Sequence, residues 1–194
     1  MTRLAFALPL AFLAAGCAIV PRPTGPQPQY WERLWALCGR SFEGRVVTTD
    51  PADREMTQNR LVMHVASCTP SEIRIPFQVG ADRSRTWVIT RTASGLRLKH
   101  IHRHSDGRED TRSRYGGDTV SAGSPRRQEF PADAFSRELF VRENIPASTS
   151  NVWAVEIVPG SLFAYELRRA GRFFRVEFDL SRSVPNPPPA WGAR

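Results

Sequence analysis

Residues 99–104 read Lys-His-Ile-His-Arg-His and carry three of the four histidines of the chain at alternate positions. Strand side chains repeat every second residue, so His100, His102 and His104 would share one face and continue the apolar row of Leu96 and Leu98. Neutral imidazoles in an enclosed site bind metals, because each offers one lone pair while its other nitrogen is oriented by a neighbour. Spacing limits this chemistry. Alternate strand residues stand about 6.7 Å apart and the outer pair about 13 Å, against a metal–nitrogen distance of about 2.1 Å. At most two adjacent histidines can converge, and the other ligands must come from a neighbouring strand, with His64, Asp118 and Glu129 as candidates. The row can equally touch an organic ligand without a metal, or rest half-buried against the turn at Asp106–Asp110. A metal ion held by His100, His102 and His104 is thus one open reading. No other cofactor is implied and no catalytic residue is assigned.

Other chemical signatures are missing. The sequence has no Gly-x-Ser-x-Gly elbow, phosphate-binding glycine loop, His-Glu-x-x-His pair or calcium loop of spaced aspartates. Trp31, Trp35, Trp87, Trp153 and Trp191 could line a pocket, although tryptophans in strands usually belong to the core. The formal net charge of +8 invites nucleic acid as a partner. Against it, Lys99 is the only lysine, and the arginines are scattered among acids, as at Arg83 and Arg85 near Asp82, rather than gathered in a stripe. Nucleic acid is excluded as the expected partner.

The amino-terminal segment speaks of location. Arg3 is followed by an apolar run from Leu4 to Leu13 and then by Ala14, Ala15, Gly16 and Cys17. This string resembles the lipobox of bacterial lipoproteins. The resemblance implies a signal peptide over residues 1–16, cleavage before Cys17, and acylation of that cysteine. Several acyl chains anchor firmly, since each buried methylene contributes about 0.8 kcal/mol. Ala18 stands where an aspartate would favour retention at the inner membrane, so the expected address is the periplasmic face of the outer membrane. The bilayer is then a partner through acylated Cys17. In that oxidising compartment Cys38 and Cys68 remain as one pair, and a disulfide between them is expected.

The elements that must position these residues are mostly strands. Residues 17–29 hold Pro21, Pro23, Pro26 and Pro28 and read as a linker, while Pro185 and Pro187–Pro189 mark residues 182–194 as a disordered tail. Between them lies one domain, residues 30–181, opening with a short amphipathic helix at Tyr30–Leu37. Strands are expected at 41–49, 60–68, 72–79, 85–92, 96–104, 127–130, 151–158, 161–169 and 172–180. Tyr115-Gly-Gly-Asp118 reads as a turn or bulge, and Pro131 as the opening of a brief helix. The last strand alternates most cleanly, with Phe174, Val176, Phe178 and Leu180 on one face and Arg175, Glu177 and Asp179 on the other.

This pattern predicts an all-β fold, an antiparallel up-and-down barrel of about 8–10 strands with a short N-terminal helix. A β-sandwich is the alternative. Helix, first strand and meander loosely resemble the calycin barrels, a group that includes the lipocalins. Arg97-Leu-Lys-His-Ile-His-Arg-His, Tyr115-Gly-Gly-Asp-Thr and Arg172-Phe-Phe-Arg-Val-Glu-Phe-Asp-Leu also look like strings in a group of uncharacterised secreted bacterial proteins, which implies no activity. The expected function is a membrane-anchored binding module for a small apolar or amphipathic ligand, with the histidines at the pocket mouth. A structural or interaction role in the cell envelope, favoured by a filled barrel, and a histidine-dependent metal protein or hydrolase are the other readings. Oligomeric state is not legible.

Overall fold

A computed structural model describes residues 24–193. The expected signal peptide, Cys17 and the start of the linker lie outside these residues. Helix α1 (Pro26–Trp35) begins four residues before the expected Tyr30. Pro26 and Pro28 sit in its first turn, where a missing N–H costs nothing and the fixed proline φ is already helical. Its inner face buries Tyr30, Trp31 and Leu34.

The strands that follow are β1 (Ser41–Val46), β2 (Leu61–His64), β3 (Ser67–Cys68), β4 (Glu72–Val79), β5 (Asp82–Thr92) and β6 (Gly95–His102). A 3-10 turn at Pro51–Asp53 and helix α2 (Arg54–Thr57) lie between β1 and β2. Then come β7 (Tyr115–Asp118), β8 (Arg127–Pro131), helix α3 (Ala134–Arg142), β9 (Val152–Val158), β10 (Leu162–Arg169) and β11 (Arg172–Asp179). All pair antiparallel in one sheet of order β7-β6-β5-β4-β2-β1-β11-β10-β9-β8, with β3 beside β4.

The ladder that makes this a barrel and not a sandwich joins β1 to β11, with Gly44 opposite Phe178 and Val46 opposite Val176. It fuses the two halves of the chain into one sheet whose free edges, β7 and β8, curl round to meet. At that seam the Asp133 N–H donates to the Gly116 carbonyl at 2.9 Å. The Ser136 hydroxyl of α3 accepts the Gly116 N–H at 2.7 Å and donates to its carbonyl at 2.8 Å. The expected turn at Tyr115–Asp118 is therefore strand β7. Its glycines answer to close approach: a Cβ on Gly116 (φ +151°) would overlap the Leu98 carbonyl, and one on Gly117 the Pro131 carbonyl. Pro131 likewise ends β8 and opens no helix. The start of α3 is set by Asp133, whose carboxylate accepts the Ser136 N–H at 2.9 Å.

Inward positions follow the period of two. β4 contributes Ile73, Ile75 and Phe77, β9 contributes Trp153, Val155 and Ile157, and β11 contributes Phe174, Val176 and Phe178, all buried. Cys38, just after α1, is bonded to Cys68 on β3 across 6.2 Å between Cα atoms. Closing that loop stabilises by about 3.5 kcal/mol on chain-entropy grounds.

The C-terminal segment corrects another expectation. Instead of hanging free, residues 182–193 run across the outer face of the barrel. Val184 bridges to Ser41, Asn186 Oδ1 accepts from the Ser41 hydroxyl at 2.8 Å, and the Pro188 carbonyl accepts from Gln78 Nε2 at 2.5 Å. The Trp191 N–H donates to the Arg83 carbonyl at 3.1 Å. Pro185 and Pro187–Pro189 have no N–H to satisfy, so carbonyls of this stretch can serve neighbouring donors while it stays extended. Gln78, on the outward face of β4, is only 6% exposed in consequence.

Candidate functional site: a one-ended cavity

Helix α1 lies at the end of the barrel where β5 turns into β6. Gln27 reaches Thr119 just past β7 at 2.9 Å, and the Arg91 guanidinium near the end of β5 stacks over Trp31. At the opposite end a cavity of about 390 Å³ opens.

Four inward rows build it, each apolar at depth and polar at the mouth. β6 presents Leu96, Leu98, His100 and His102; β5 presents Ile89, Trp87 and Arg85; β10 presents Phe163, Tyr165, Leu167 and Arg169; β11 presents Val176, Phe174 and Arg172. The rings brace one another. Trp87 is sandwiched nearly parallel between Phe77 at 4.8 Å and Tyr165 at 4.4 Å, and Trp153 packs on His100 at 5.0 Å and Tyr115 at 5.6 Å. Offset aromatic pairs of this kind add about 0.5–1.5 kcal/mol each beyond buried area, so the wall is preformed.

His100 and His102 line the cavity; His104 does not. β6 stops at His102, and His104 enters an exposed loop, 3.5 Å from Asp110. The expected row of three is thus a row of two, because the backbone leaves the strand before the third. His100 Nδ1 faces the Tyr115 carbonyl at 3.1 Å and Nε2 faces the Tyr165 hydroxyl at 2.7 Å. A carbonyl only accepts, so Nδ1 carries the proton and the Nε2 lone pair accepts from Tyr165. No lone pair of His100 is left for a metal ion or a substrate proton. His102 Nε2 pairs with the Tyr115 hydroxyl at 3.0 Å. His64, Asp118 and Glu129 are not at the cavity: Asp118 is forked with Arg97 and Glu129 with Arg168, both on the outer face. Among the described residues no three His, Cys, Asp or Glu side chains converge as a metal set would.

Burial holds both cavity imidazoles neutral, pushing His100 down to about 3 and His102 down to about 4, the latter helped by the Arg85 charge. The unfolded chain takes up these protons near pH 6.5 and the folded chain does not, so the unfolded state binds more protons and stability rises with pH across this interval. Their contribution is complete above about pH 6.5 and falls away on acidification toward pH 4 and below. The imidazole C2 proton resonances of His100 and His102 are accordingly expected to stay constant from pH 8 to pH 5. A midpoint near pH 6.5 for either would show the cavity to be wet.

Arginine at the mouth is what the sequence reading missed. Arg85, Arg169 and Arg172 each sit in phase with the inward row of their strand, one step beyond its last ring or leucine, and that phase was the available signal. Arg172 is forked onto Asp53, a carboxylate 4% exposed, and also reaches Asp50 at 3.2 Å. Arg85 pairs with Asp82, and Arg112 with Glu143 at 3.3 Å.

Fold and site together define an up-and-down β-barrel with one end plugged by a helix and an aromatic cavity open at the other. No known protein family, curated protein or solved structure matches this chain.

Proposed function

We propose that this protein is a cell-envelope lipoprotein, tethered through acylated Cys17, whose barrel takes up one small amphipathic ligand with its apolar body among the rings. The observation that carries this reading is the cavity of about 390 Å³, within the size range of small-molecule sites and lined by Trp87, Trp153, Tyr165 and Phe174. A barrel filled to its axis would have favoured a purely structural role. The described chain enters at the plugged end, where Gln27 of α1 meets Thr119, so a tether that reaches α1 directly would leave the cavity mouth at the far end. Ligand exchange would then take place with the surrounding compartment and not with the anchoring bilayer.

Two measurements test this. Cys17→Ser is expected to move the protein from the membrane fraction to the soluble fraction; continued sedimentation with membranes after a high-salt wash would overturn the tether. The uncharged dye N-phenyl-1-naphthylamine should bind the purified Cys17→Ser protein at one site with enhanced fluorescence. Leu167→Trp, which fills the cavity from β10, should weaken that binding at least about tenfold, or about 1.4 kcal/mol. Equal binding by the filled variant would place the dye elsewhere and remove the ligand reading.

A further inference from the structure

We infer that the ligand is an amphipathic acid whose oxyanion head is held at the cavity mouth by Arg169, an inference that rests on the ligand-binding reading above. The mouth carries four arginines, and three are closed by acids: Arg85 by Asp82, Arg112 by Glu143, and Arg172 by Asp53 and Asp50. Arg169 is different. It ends the inward row of β10, lines the cavity, and donates from Nη1 to the neutral Asn151 Oδ1 at 3.0 Å. Among the described residues it forms no ion pair.

A guanidinium has five N–H donors in a planar fork, matched in spacing to two oxygens of a carboxylate, sulfonate or phosphate. One donor of Arg169 is engaged by Asn151, which fixes the plane of the fork without neutralising it. The side chain is half-buried beside Leu167 and across the β10–β11 ladder from Arg172. Partial removal from water strengthens a charge-assisted hydrogen bond there relative to one at an open surface. The remaining acid at the mouth, Asp110, follows β6 on the other side of the ring, where it accepts the Arg112 N–H at 2.7 Å and sits 3.5 Å from His104. Below Arg169, Leu167 and Tyr165 of β10, with Phe174 of β11, line the cavity and supply the surface for an apolar body. The cavity therefore grades from cation at the rim to rings at depth, the polarity of an amphiphilic acid inserted body first.

Two dyes separate the head from the body. 8-Anilinonaphthalene-1-sulfonate shares the N-phenyl-1-naphthylamine skeleton and adds one sulfonate. The sulfonated dye is expected to bind the Cys17→Ser protein at least about tenfold tighter than the uncharged one at low salt. That preference, read as the ratio of the two affinities within each variant, should fall to about unity in Arg169→Met and partly return in Arg169→Lys. Dodecanoate should displace the sulfonated dye at a concentration at least about tenfold below that needed for dodecanol, and inorganic phosphate at equal ionic strength should not displace it. Equal affinity for the two dyes, or a preference that survives Arg169→Met, overturns the assignment of Arg169 and leaves the cavity reading intact. Displacement by phosphate alone overturns the amphiphile and makes the mouth a simple anion site. Failure of both dyes to bind overturns the ligand-binding reading itself.

Discussion

Valine in place of Gly117 is expected to cost more than about 3 kcal/mol and to open the barrel along the β7–β8 seam. The atom in the way is the Pro131 carbonyl oxygen, a backbone atom with nowhere to go. Pro131 is held in register opposite Val152 on β9, and the chain two residues on is pinned by the Asp133 N–H on Gly116. Tyr115, next to this seam, stacks on His100 at 4.5 Å, so opening the seam also dismantles one wall of the cavity. The expected readout is a lowered urea midpoint together with selective loss of hydrogen-exchange protection at Gly116 and Asp133. Gly160→Ala is the control: its φ is +71° and nothing lies within 4 Å of an added Cβ, so it should cost only about 1 kcal/mol of backbone preference. Equal losses for the two variants would mean that the seam contributes nothing to closure.

Arg172→Met is expected to destabilise by about 3–5 kcal/mol, because it strands a carboxylate that is 4% exposed. Asp53 takes both guanidinium branches of Arg172, and Asp50, itself partly solvated, is the weaker partner. The pair ties the segment between β1 and β2 to the start of β11, and Met56 from that segment lines the cavity. Removing both charges should be far milder than removing one, since a buried ion pair gains little over apolar groups of similar volume. A double-mutant cycle with Asp53→Leu, read by urea denaturation, is therefore expected to show most of the single-variant loss recovered in the double variant. Strict additivity of the two losses would mean that the two side chains are not coupled.

Both effects involve contacts that no local pattern announces. Gly117 and Pro131 are neighbours only because the sheet closes, and Arg172 meets Asp53 only because β11 returns to β1. The alternation of β11, the three closing strands β9 to β11, the helix before β1 and the Cys38–Cys68 pair were all legible beforehand. The histidine row was legible as a face and misjudged in length, since its parity holds through His102 and lapses where the strand ends. The proline-rich tail was misread because composition reports the stiffness of a segment and not the donors, Gln78 and Ser41, that wait for its carbonyls and side chains.

What the residues determined by themselves is whatever repeats over a few positions: which stretches are strands, which side of each is apolar, and where the chain turns. Side-chain alternation follows from backbone geometry within one strand and needs no partner. Tertiary structure decided for the barrel that the pattern predicts over the sandwich that it left open, and it alone decided that the barrel keeps a hollow at one end and that in-phase arginines become its rim. Those outcomes depend on pairings such as Gly44 with Phe178 and on the meeting of β7 with β8. Enclosure is a property of the whole ring of strands, and no window of a few residues contains it.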